Sequence, residues 1–220
     1  MHSPRMSTSA PPGPLLVAIG LGSNLAPVPR SPFDLDPPSD PRARALEGAL
    51  VLLRQRGHVL RAASPLYETR PEGVDEESGH GPFLNACVLV ETQAAPEELL
   101  HDCEEIEREA GRTSKGDNAP RPLDLDLLAA WHETGGSLRP LEPLQTESLV
   151  LPHPRLAERG FVLVPLVGVL ADAPLQFSGQ APATPWELLR KAARSAAAGV
   201  KPGPRSASFP FRAETWEIAD

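Results

Sequence analysis

The stretch that most restricts the fold is residues 119–131, APRPLDLDLLAAW. Successive side chains of a strand alternate between faces, so Asp124 and Asp126 share one face while Leu123, Leu125 and Leu127 share the other. The acidic face borders a cleft and the leucine face a core. Strand rise separates the two aspartate Cα atoms by roughly 6.6 Å, a spacing from which carboxylates converge on paired metals about 3.5–4 Å apart. Magnesium favours such hard oxygen ligands and keeps several waters. Just upstream, Arg121 carries a planar guanidinium suited to phosphate oxygens, and Pro120 and Pro122 restrict the backbone on either side of it. Carboxylates for metal beside a guanidinium for phosphate point to a nucleotide site. Alone, an Asp-x-Asp pair is just as well the solvated face of an edge strand, so the decision rests on its neighbours.

A chain of 220 residues holds one full core with extensions. Among its 27 prolines, clusters fall in the first fourteen residues, from Pro27 to Pro41 and from Pro174 to Pro210, and these zones are predicted loop or tail. A net charge of -8 disfavours nucleic acid or an anionic membrane as partner. It still allows one anionic ligand held by a local arginine cluster and metal. Cys87 and Cys103 have no C-x-x-C companion and are expected as buried, reduced thiols. No apolar run approaches the roughly 18 residues of a membrane span, and MHSPRMSTSAPPGP has no signal-peptide core. A cytoplasmic protein is expected.

Residues 15–20, LLVAIG, form a continuous apolar run, the pattern of a strand covered on both faces. Gly20-x-Gly22 has no third glycine and there is no G-x-x-x-x-G-K-[ST], so dinucleotide and P-loop readings are weak. Leu46, Ala49, Leu50 and Leu53 recur at helical spacing, with Gly57 as the stop. Residues 59–69 read as a strand kinked near Pro65, and 84–92 as a central strand, with a flexible acidic segment between them. Pro96 opens a second helix with Glu97 and Glu98 in its first turn; Leu99, Cys103, Ile106 and Ala110 make its buried stripe, and Gly111 ends it. The resulting β-α-β-β-α-β order is the split βαβ arrangement. An α+β, ferredoxin-like sandwich is therefore predicted: an antiparallel sheet with helices on one face plus C-terminal additions. That leaves the other face for a ligand. Further on, 155–172 reads as short helical pieces broken at Pro165, and Thr184-Pro185-Trp186-Glu187 as a capping box opening a helix to about Ala197. Phe209, Phe211 and Trp216 are candidates to dock the tail.

GSNL at 22–25, SPLYET at 64–69, FLNA at 83–86, PRPLDLDLL at 120–128 and LPHPRLAERGF at 151–161 occur in one order. Together they resemble the 6-hydroxymethyl-7,8-dihydropterin pyrophosphokinase family of folate biosynthesis. The resemblance implies transfer of pyrophosphate from ATP to the hydroxymethyl group of the dihydropterin, with two Mg²⁺ ions and release of AMP. It assigns Asp124 and Asp126 to metal, Arg112 and Arg121 to catalysis, and Glu107, His153 and Arg159 to ATP. Thr69, Phe83, Asn85 and Phe161 fall to the pterin, the two phenylalanines stacking on the flat ring. Gly22 and Ser23 are expected near the same pocket. The implied division is a disordered tail over 1–13, a pyrophosphokinase core over 14–172 and a helix with tail over 173–220. A monomer is expected, with ATP and the dihydropterin as its partners and neither nucleic acid nor membrane.

The chain departs from that pattern in the loop 113–119, which carries Ser114, Lys115 and Asp117 and has Asn118-Ala119 where many members have Trp-Gly before the proline. A catalytically weak pterin- or nucleotide-binding module is therefore one alternative. An Asp-x-Asp metal-dependent glycosyltransferase is another, disfavoured because it would need a parallel nucleotide-binding sheet.

Overall fold

The computed structural model describes residues 13–30, 32–33, 40–71, 81–113, 120–197 and 199–203. Residues 1–12 of the predicted tail over 1–13, most of the acidic loop (72–80), the loop residues 114–119 including Lys115, and Phe209, Phe211 and Trp216 lie outside the described residues.

The apolar run becomes β1 (Leu15–Ser23), flanked by strands on both sides. It pairs antiparallel with β4 (Phe83–Thr92) and with β5 (Asp124–Thr134). The predicted kinked strand is two strands, β2 (Val59–Ala63) and β3 (Tyr67–Thr69), which pair with opposite ends of β4. Pro65 lacks an N–H and sits at the break, while Ser64 bridges it: its N–H donates to the Cys87 carbonyl and its Oγ accepts from the Cys87 N–H. A Gly135-Gly136 turn with φ of 58° and 77° joins β5 to β6 (Ser137–Pro140), as two-residue hairpins with positive φ require. Two short strands, β7 (Leu144–Gln145) and β8 (Val150–Leu151), pair only with each other, and β9 (Val200–Pro202) adds to the free edge of β3. The large sheet runs β6-β5-β1-β4-β3-β9, with β2 also on β4. Every pairing is antiparallel, unlike the sheet a glycosyltransferase reading would need.

One face packs on α1 (Pro41–Gln55) and α2 (Pro96–Glu109) through Val17, Ile19, Leu46, Leu53, Leu99 and Ile106. Asp40 caps α1, its carboxylate accepting from the Arg42 N–H at 2.9 Å. The face predicted to stay open is half covered. Leu16, Ala18, Leu89 and Trp131 pack there on α3 (Gly160–Val167), with α4 (Pro185–Ala197) outside it. The capping box of α4 forms as read, Glu187 N–H to Thr184 Oγ1 and Thr184 N–H to the Glu187 carboxylate. The predicted break at Pro165 does not occur: α3 runs through it, losing one backbone bond while Leu163, Pro165 and Leu166 are buried. Among the described residues no helix is long and apolar enough to cross a membrane.

Phe33, only 2% exposed, plugs the loop after β1 onto α1 beside Gly48. A Cβ at Gly48 would lie 2.3 Å from the Phe33 ring. Replacing a helical glycine by alanine normally gains about 0.5–1 kcal/mol, but overpacking a buried ring costs typically about 1–3 kcal/mol. Gly48→Ala should therefore lower stability in urea unfolding; a raised midpoint would contradict this packing.

Candidate functional site

The uncovered half of the second face is a cleft between β4 and β5, and β1 runs between them without side chains on that face. Gly22 is in register with Asp124 on one side and Asn85 on the other, and Gly20 with Asp126 and Cys87. A Cβ at Gly22 would lie 3.3 Å from Asn85 Oδ1 and 3.7 Å from the Asp124 Cβ. Glycine thus keeps the space between the polar rows free. Gly20, Gly22, Asn85, Asp124, Asp126 and Phe161 line an open cleft.

The same face turns from polar to apolar along β5, where a bulge adds one residue. Ile19 pairs with Leu127 and Ala18 with Ala129, leaving Leu128 unpaired. Asp124 and Asp126 precede the bulge, whereas Leu128, Ala129 and Trp131 join the core under α3. Leu123, Leu125 and Leu127 are buried on the opposite side, as the alternation predicted. Bulges of this kind commonly re-aim side chains next to active sites.

Cationic side chains surround the carboxylates. Arg112 Nη1 donates to Asp124 Oδ1 at 2.5 Å and Arg121 Nη1 lies 3.2 Å from the same oxygen. Both guanidiniums are mostly buried, at 12% and 22% exposure. Glu107 does not line the cleft. It is 4% exposed beneath it, and its Oε1 accepts from Arg112 and from the Leu125 N–H, each at 2.7 Å. Arg121 is held by Asn24, whose N–H donates to the Arg121 carbonyl and whose Oδ1 accepts from the Arg121 N–H. Asn24 was not among the predicted site residues; the only sequence signal was its place in GSNL, directly after the first strand.

Burial, aided by the like charge of Asp124, raises the Asp126 pKa from its ordinary 3.8 to about 6. His153 is anchored through its N–H to the Leu128 carbonyl at the bulge. Burial and then Arg159 hold its imidazole below the usual range. Arg159 stands over the Phe161 ring, 5.4 Å from its centroid, and Arg121 over Phe83 at 5.9 Å. Asn85 Nδ2 donates to Thr69 Oγ1 at 2.8 Å. The two thiols, Cys87 and Cys103, are buried and pushed up by that burial, which makes them unreactive.

The structure therefore brings Asp124, Asp126, Arg112, Arg121, Asn85, Thr69, Phe83 and Phe161 around one cleft, with His153 and Arg159 beside it and Glu107 below. Among the described residues no three His, Cys, Asp or Glu side chains are grouped to hold a metal on their own. The half-buried, mutually repelling pair Asp124 and Asp126 suits hard cations that also take ligand oxygens and water. Such a cleft, acidic at its floor, cationic at its rim and aromatic at its wall, has the chemistry to suit a phosphorylated nucleotide and a flat ring.

A family model described as 7,8-dihydro-6-hydroxymethylpterin-pyrophosphokinase (HPPK) matches residues 18–171. A 2-amino-4-hydroxy-6-hydroxymethyldihydropteridine pyrophosphokinase of Porphyromonas gingivalis is 37% identical over 158 residues, spanning 70% of this chain and 90% of that protein. A protein of the same name from Bacillus subtilis is 39% identical over 129 residues, spanning 58% of this chain and 70% of that one. The chain belongs to this pyrophosphokinase family. Among solved structures, Plasmodium falciparum HPPK-DHPS with pteroate matches at a TM-score of 0.53 and 14% identity, a likeness of fold alone. That match covers 81% of this chain and 44% of the Plasmodium chain.

Asp126 binds its proton more tightly in the folded state, so it costs stability as pH rises from about 4 through about 6. Without divalent cations, Asp126→Asn should be more stable than the wild type at pH 8 by about 1–3 kcal/mol. The gap should close toward pH 4. Denaturant titrations at both pH values test this, and a gap independent of pH would refute the buried, raised carboxyl.

Proposed function

We propose that this chain transfers the pyrophosphoryl group of ATP to the hydroxyl of 6-hydroxymethyl-7,8-dihydropterin, giving the dihydropterin diphosphate and AMP. The observation that carries the reading is the single cleft in which Asp124 and Asp126, in register across Gly22 and Gly20, meet Arg112, Arg121 and Phe161. Family membership over residues 18–171 supports the reaction, and the same span supports a catalytic core over 14–172 with 173–220 as an addition. The strand order β5-β1-β4-β3, with α1 and α2 on one face, supports the ferredoxin-like arrangement.

Asp124 and Asp126 would hold two Mg²⁺ ions, which supply neutralisation of triphosphate oxygens and polarisation of the phosphorus. Ring binding falls to Phe83 and Phe161, which offer their faces, and to Asn85 and Thr69, which offer donors and acceptors at the ring edge. Substrate hydroxyl oxygen bonds to the β-phosphorus as the bond from that phosphorus to the bridging α-phosphate oxygen breaks, AMP leaves, and the hydroxyl proton passes to solvent. Charge grows on the oxygens around that phosphorus, and preorganised donors there lower the barrier. Arg112 and Arg121 are those donors. To reach phosphate they exchange the Asp124 carboxylate for a more highly charged partner, so their two resting bonds orient them beforehand. His153 and Arg159, on the α3 side, contact the triphosphate.

Phosphorus NMR of ATP mixed with the dihydropterin and Mg²⁺ should show AMP; ADP in its place would reject the reaction, and pterin binding without turnover would favour the binding module. Asp126→Ala should abolish turnover. Arg121→Ala should lower kcat by about 10²-fold while changing the KM for ATP much less. Equal losses in both constants would remove Arg121 from the transfer step.

A further inference from the structure

Thr69 and Phe83 are the last register pair between β3 and β4, and beyond them the two strands part. Their side of the sheet carries the ring-binding residues proposed above. On the side of α1, the first turn of that helix places Arg42 across the point of parting. Its Nη1 donates to the Pro82 carbonyl at 2.7 Å and its Nη2 to Glu68 Oε2 at 2.8 Å. Nε and Nη2 together grip the Asp40 carboxylate, at 3.0 and 2.6 Å. The side chain is 16% exposed. Three segments thus meet on one planar cation: the cap of α1, β3, and the residue that leads into β4. A flexible ammonium cannot satisfy this fork-shaped set of acceptors. The hydrogen bond from Arg42 chiefly holds the Asp40 carboxyl below its usual range, as expected for a persistent contact.

Glu68 is the chain neighbour of Thr69, and Pro82 of Phe83. The bonds to Arg42 therefore fix the backbone on both sides of the last pair. Phe83 rests its ring under Arg121, and Thr69 takes the hydrogen bond from Asn85, so the conformation of this pair sets the wall of the cleft. We propose that Arg42 is a positioning residue for the pterin wall: from behind the sheet it sets the backbone that aims Phe83, Asn85 and Thr69 at the ring. The proposal rests on the pyrophosphokinase reading and adds to it a residue outside the cleft that governs ring affinity rather than phosphate transfer.

The test compares wild type, Arg42→Ala, Arg42→Lys and Glu68→Gln, each full length, in AMP release with ATP, Mg²⁺ and the dihydropterin. Arg42→Ala should raise the KM for the dihydropterin about tenfold, the scale of a lost charge-assisted hydrogen bond, with kcat and the KM for ATP within about twofold. Glu68→Gln should move the same constant in the same direction, and it carries the test if Arg42→Ala fails to fold. Arg42→Lys should recover only part of the affinity. In a Phe83→Ala background, Arg42→Ala should add little, because the wall it positions is already gone. A general loss of structure would instead move all three constants and remain additive. An unchanged pterin KM in both Arg42→Ala and Glu68→Gln, with active wild type, overturns the role of Arg42. Wild type that releases no AMP overturns the pyrophosphokinase reading itself.

Discussion

Two carboxylates one residue apart on a half-buried strand face repel each other, and much of the surrounding structure offsets that repulsion. At a separation of roughly 6.6 Å and an effective dielectric constant of about 20, two such charges oppose one another by about 2.5 kcal/mol. Asp124 is relieved by two guanidiniums on one oxygen. For Asp126, burial and the charge of Asp124 outweigh the relief from Arg159, Arg121 and Arg112, and it carries the raised proton affinity. The pair is thus asymmetric: Asp124 is matched by direct arginine contacts, while burial outweighs the positive charge around Asp126. A divalent cation between the two would address Asp126 most directly, which ties the acidic floor to the arginine rim.

The cleft exists because one sheet face is used for two purposes. Toward one end, Leu16, Ala18, Leu89, Ala129 and Trp131 bury themselves under α3. Toward the other, β1 offers only Gly20 and Gly22, and the sheet stays uncovered between the polar rows of β4 and β5. Side chains at these glycines would fill the hollow, beginning with contact on Asn85 and Leu128. The Leu128 bulge makes the change of use sharp: with strict alternation Ala129 and Trp131 would face α1 and α2, and the extra residue turns them toward α3 instead. Its carbonyl is then free to take the His153 N–H, so the irregularity that buries Trp131 also seats His153 at the edge of the site.

Features set by a few adjacent residues were legible in the sequence. The Asp-x-Asp alternation and the capping box at Thr184 follow from local geometry and the structure contains both, and the expected kink near Pro65 is there a full break between two strands. Features set by partners distant in the chain were not. Nothing near Glu107 announces that its carboxylate will take the Leu125 N–H, and nothing near Val200 announces a strand on the edge of β3. Pro165 misled because the local penalty of a helical proline was weighed without the burial of Leu163 and Leu166 that outweighs it. The motif GSNL placed Asn24 beside the site, yet its pairing with the Arg121 backbone depends on two loops meeting.

These long-range anchors divide the site into parts that hold and parts that move. Glu107 pins the backbone at Leu125, between the two aspartates, and Asn24 pins the backbone of Arg121 rather than its guanidinium. The backbone that carries the two aspartates and Arg121 is therefore fixed by bonds that no ligand competes for. The guanidinium ends of Arg112 and Arg121 are held by Asp124, a partner that cations would claim. Fixed backbone with exchangeable side-chain ends needs little reorganisation when charge develops on phosphate, and low reorganisation is what makes preorganised donors effective. Glu107, as the common acceptor for Arg112 and β5, sets the distance between the cationic rim and the acidic floor.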